Sequence, residues 1–142
     1  MKTQNFFFAA AILLAFTPQK VISACLSYPP AISVITGTLV RLTFPGRPNF
    51  ESVGAGDEPE TGFYLQLKSP ICTIGELGSS VSEPRQNVTL VQLILQQRQY
   101  EQLSPELGQS VTLEGKLLSA FTGHHHAPLL LDNPSLVQKA VR

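Results

Sequence analysis

Residues 87–121, "NVTLVQLILQQRQYEQLSPELGQSVTLEGKLLSAF", change their hydrophobic period twice. Residues 87–95 are apolar and rich in β-branched side chains, which reads as a strand. In "QQRQYEQLSPELG", Tyr100, Leu103 and Leu107 fall at i, i+3 and i+7, one face of a helix. Pro105 splits this element into a short helix and a final turn, and Gly108 stops it. The next segment, "QSVTLEGKLLSAF", alternates again and sets Val111, Leu113, Gly115 and Leu117 on one face. The unit is strand, short helix, strand.

Upstream, residues 32–44 ("ISVITGTLVRLTF") read as a long first strand, with Gly37 marking a bulge or sharp coil. Residues 45–62 carry three prolines and four glycines and read as a long ordered loop pinned by Phe50 and Val53. Phe63, Leu65 and Leu67 alternate with polar residues in a second strand that Pro70 ends. Residues 73–86 are a polar turn region. Downstream, "PLLLD" is a fifth strand, and the tail "NPSLVQKAVR" has the Asn cap and following Pro of one or two helical turns. Three strands, a helix and two strands define a mainly β protein. The expected form is a small OB-like five-stranded barrel with one short helix between strands three and four. A small β-sandwich with one stray helix is the alternative.

The first residues, "MKTQNFFFAAAILLAFTPQKVISAC", have a positive Lys2, an apolar run at residues 6–16 and small Ser23 and Ala24 before Cys25. The run is too short for a spanning helix, which needs about 20 residues. It reads as a signal peptide, residues 1–24, with a single domain over residues 25–142 that is periplasmic or secreted. Lys2 and Lys20 fall in that leader, so eight basic residues face ten acidic ones in the remainder, a net charge of −2. That balance disfavours nucleic acid as a partner, since phosphate affinity comes mainly from Lys and Arg.

Cys25 and Cys72 are the only cysteines. In an oxidising compartment they read first as a disulfide, with about 4 kcal/mol of loop-closure stabilisation. The rival reading takes "ISAC" as a lipidation box acting on Cys25. Lys20 and Pro18 separate the apolar run from that box, which favours the disulfide.

The segments "CLSYPP", "GTLVRLTFPGRPNFESV", "GDEPETGFYLQL", "PIC" and "VTLEGKLLSAFTGHHHAPLLL" together resemble an exported bacterial family known as a domain of unknown function. Its members end in a Thr-Gly-His-His-His-x-Pro motif, here residues 122–128, with Ala127 where the family more often has Thr. The resemblance runs over nearly all of the chain after Ala24. It implies export and assigns no activity.

All three histidines lie in that motif. In an OB plan they fall in the connection between strands four and five, and residues 45–62 connect strands one and two. Those two connections flank one binding face, so His124, His125 and His126 are expected near Asp57, Glu58 and Glu60. This supports a binding module for an envelope protein or a small ligand, acting through residues 45–62 and 122–128. The alternative is a metal-binding protein, even a metal-dependent hydrolase, in which His124, His126 and Glu58 hold a divalent ion such as zinc. A purely structural role for the imidazoles, closing the long loop by hydrogen bonds, stands beside both. No activated nucleophile accompanies them, although Ser119 and Thr122 are close in sequence. Tyr28, Phe50 and Tyr64 are candidates for an aromatic platform, with core packing as the plainer fate.

Overall fold

The computed structural model describes residues 24–139. The expected signal peptide, residues 1–24, lies outside them except for Ala24. Seven strands and one helix follow in order: β1 (Leu26–Ser27), β2 (Ser33–Pro45), β3 (Pro59–Ile71), β4 (Thr73–Ile74), β5 (Val88–Ile94), α1 (Gln97–Leu103), β6 (Ser110–Ser119) and β7 (Leu129–Lys139). Five of them close a barrel in the order β2-β3-β5-β7-β6. The expected five-stranded barrel is present, with α1 between its third and fourth strands.

Pairing within the barrel is antiparallel except between β5 and β7. Strand alternation divides each strand into an inward and an outward set. Leu39, Leu65, Val91, Leu129 and Ser119 stand in register around the barrel, and all five are fully buried. Each leucine of such a layer contributes about 1.5–3 kcal/mol by leaving water. One residue further along each strand lies a second ring, Val40, Tyr64, Gln92, Leu130 and Leu118, which points outward.

The glycines expected to curve the strands do so by close approach. β2 passes from β6 to β3 near Gly37, and a Cβ there would stand 2.9 Å from the carbonyl oxygen of Gln66. At Gly115 a Cβ would come within 3.0 Å of the Asp132 carbonyl, beside a register shift between β6 and β7. Helix α1 buries Leu103 and sets Tyr100 edge-on to Phe63, ring centroids 5.0 Å apart. The expected apolar face of Tyr100, Leu103 and Leu107 thus packs on the core.

The chain differs from expectation in three places. β3 runs from Pro59 to Ile71, so the connection it follows is shorter than the loop expected at residues 45–62, and the strand continues through Pro70, which was expected to end it. Cross-strand pairing of Pro45 with Pro59 and Phe44 with Glu60 extends the hairpin into residues with no apolar alternation. Residues 133–139 of the tail are strand and not helical turns, because β7 runs to Lys139 and pairs with β6 as far as Val111. Asn133 adopts a left-handed φ of 46°, and the Asn-Pro pair sits at the register shift of that strand against β6. A third addition is the two-residue parallel pair β1–β4, next to the Cys25–Cys72 disulfide that forms as expected. No helix among the described residues is long and apolar enough to cross a membrane.

Candidate functional site

Phe44 and Glu60 are opposite partners at the loop end of the β2–β3 hairpin, on the outward side shared with Tyr64. The connection between β6 and β7 folds against this outer surface. Gln92, outward on β5, holds its backbone at two points: the side-chain oxygen accepts from His126 N–H at 2.7 Å, and the amide donates to His124 O at 3.2 Å. The His126 ring stacks on Phe44, centroids 4.9 Å apart and planes 7° from parallel. Phe44 in turn lies 5.4 Å from Tyr64. Tyr64 and Leu130 are consequently buried although both face away from the barrel interior.

Glu60 ties this roof down. Its Oε1 accepts from His124 Nδ1 at 2.5 Å, and its Oε2 accepts from His126 Nε2 at 2.7 Å. The bond to His126 chiefly holds the Glu60 carboxyl below its ordinary range; burial opposes it, and the bond to His124 and both imidazoles' charges add to the lowering. An ionised carboxylate only accepts hydrogen bonds, so each imidazole presents an N–H to it. Burial, then the nearby Tyr100 and Glu60, push the Tyr64 phenol up to about 12, so it stays neutral.

Two glycines make room for the clasp. A Cβ at Gly46 would lie 2.5 Å from Glu60 Oε1, and one at Gly123 would lie 3.2 Å from the ring of Phe50. That ring meets His124 edge-on at 5.3 Å. His125 is not bonded to Glu60 and serves its own turn, closed by its backbone N–H donating to Thr122 O at 3.1 Å. Its Nδ1 accepts from the backbone N–H of Phe121 at 3.1 Å and of Thr122 at 3.3 Å. Its ring sits edge-on to Phe121, centroids 4.5 Å apart. Burial, followed by the charges of His124 and His126, lowers its pKa.

Of the three acids expected near the histidines, Glu60 alone reaches them, and it does so from a strand. Asp57 is buried inside residues 46–58, where its carboxylate accepts backbone N–H bonds from Asn49, Glu51 and Ser52 at 2.8–2.9 Å. Those bonds, Ser52 first, lower its pKa. It shapes the loop and does not face the imidazoles. Glu58 is exposed and joins the loop through its backbone, accepting from Gly46 N–H and donating to Arg47 O. The expected zinc set of His124, His126 and Glu58 is therefore not assembled. Among the described residues no group of three or more His, Cys, Asp and Glu is disposed to hold a metal ion. Gln92, Phe44 and Gly46, which sequence reasoning missed as site residues, carry no local signal. They matter only through register and close approach. Of the other candidates, Ser119 is buried and bonded to the backbone of Ser80 and Glu83. Tyr28 bonds Thr73 and the Glu83 carbonyl on the core.

Residues 90–132, from β5 through the histidines to the start of β7, are similar to a family described as Domain of unknown function (DUF4431). That segment holds the whole histidine motif and Gln92 and begins after Glu60. No curated protein and no solved structure matches the chain.

Proposed function

We propose that the chain is an exported binding module that recognises an envelope protein or small ligand through residues 45–62 and 122–128. One observation carries this reading: a single carboxylate, Glu60, bonds two histidines and fixes the β6–β7 connection to the β2–β3 hairpin. Recognition surfaces built on a rigid support lose less entropy on binding than mobile loops do. Phe121 is half exposed beside the His125 ring, and His124 and Val53 are also exposed. An exposed aromatic next to an imidazole is a composition suited to a protein or small polar ligand. The sequence of residues 1–24 and the Cys25–Cys72 disulfide support export into an oxidising compartment.

The test is a pull-down at neutral pH from an envelope extract, with untagged residues 25–142 coupled to resin. The expected result is stoichiometric retention of one component, weakened by Phe121→Ala, His124→Ala and Glu58→Ala and unaffected by Lys68→Ala. Retention of nothing, or of a component indifferent to all four substitutions, would remove the proposal.

A further inference from the structure

The three consecutive imidazoles have opposite hydrogen-bond duties. His124 and His126 donate to Glu60, and an imidazole N–H can do this whether the ring is neutral or charged. His125 accepts two backbone N–H bonds at one nitrogen, so Nδ1 must be bare and the ring proton must sit on Nε2. Protonating His125 would point a third N–H at two N–H donors. The ring would have to leave, releasing its edge contact with Phe121.

We infer that residues 121–125 form an acid-released turn, in which protonation of His125 frees Phe121 and its own ring while the Glu60 clasp on His124 and His126 stays closed. As regulation of recognition, this rests on the function proposed above; the structural change itself needs no partner. The titratable groups around His125 are His124 and His126 on its own connection and Glu60 on β3, which holds both of them. β5 contributes only the uncharged Gln92. Positive charge on His124 or His126 opposes a further charge on His125, and burial adds to that opposition. A histidine whose folded pKa is depressed stabilises the fold fully above its ordinary value of 6.5, and that contribution disappears as pH falls through the folded value. The turn is therefore closed at neutral pH and opens on mild acidification, a range in which histidine is the side chain that naturally titrates.

Hydrogen exchange of the free protein by NMR tests this, with a chelator present throughout and rates corrected for intrinsic pH dependence. Between about pH 7.5 and about pH 5, protection at the Phe121 and Thr122 amides should fall about tenfold or more. The Leu65 and Leu113 amides should keep theirs. In His125→Gln the first two amides should lose the pH response. If this variant does not fold, imidazole nitrogen shifts of the unaltered protein serve instead. They should report a bare Nδ1 on His125 at neutral pH that gains its proton in step with the loss of protection. Protection that stays constant down to pH 5, a pH response surviving in His125→Gln, or an Nδ1 already protonated at neutral pH would each overturn the inference. None of these results depends on a binding partner, so they leave the pull-down to be judged separately.

Discussion

Glu60 on β3 and His126 before β7 stand 66 positions apart in sequence, yet Glu60 Oε2 accepts from His126 Nε2 at 2.7 Å. The same carboxylate reaches His124 with its other oxygen. The β6–β7 connection is thereby anchored to the β2–β3 hairpin.

Replacing that anchor should loosen the roof and leave the barrel intact. Glu60→Ala is expected to lower unfolding stability by about 1 kcal/mol, at the low end for bonds to a charged group because the carboxylate is partly exposed. Urea denaturation gives the stability. The amide signals of residues 122–127 should broaden or shift while those of the barrel layer stay in place. An unchanged loop spectrum would contradict the anchoring role.

Gly46→Ala should act through the same contact. Its new Cβ would overlap the Glu60 carboxylate and force it off the histidines. A double-mutant cycle reads the coupling: the loss in Gly46→Ala with Glu60→Ala should be smaller than the two single losses added. Simple additivity would mean that the glycine serves something other than the clasp.

Acid should weaken the protein in two stages, and the lower one belongs to carboxylates. Asp57 and Glu60 both have folded pKa values below their ordinary 3.8 and 4.5. Their contribution is fully present above those ordinary values and is lost as pH falls through the folded ones. Melting temperature followed from about pH 5 down to about pH 3 should drop steeply. In Asp57→Asn the drop should be shallower, with a lower starting value, because the amide cannot reproduce a charged acceptor for three N–H groups. Parallel curves would show that Asp57 does not hold the loop as a carboxylate.

The disulfide should matter more than any single polar contact. It joins residues 47 positions apart and fastens β1 against β4. Chain-entropy reasoning gives about 4 kcal/mol for its loss in Cys25→Ser with Cys72→Ser. Equilibrium urea unfolding measures this directly. A reductant should shift the unaltered protein in the same direction and leave the double variant unchanged.

Much of the barrel could be read from local periodicity. Phe63, Leu65 and Leu67 on β3 and Val111, Leu113 and Leu117 on β6 fall on one face by the strand period, and all six are buried in the core. Tyr100, Leu103 and Leu107 likewise marked the helix that packs on the core. The tail misled because "NPSLVQK" carries a local helix-start cue, whereas β6 offers an extended edge that outweighs it. Local propensity is a weak preference and tertiary pairing overrides it. Glu60 was placed in the right neighbourhood but in the wrong element, since "PETG" has no strand period and gains its extended form from Pro45 and Phe44 across the hairpin.

By itself, the order of residues determined the periods, the turns and the grouping of three imidazoles beside a glycine, because these depend on neighbours along the chain. Folding alone decided which carboxylate meets them, which face they cover and which of the three becomes an acceptor. Such choices depend on register between strands and on approach distances of a few ångströms, and neither is encoded in any single stretch.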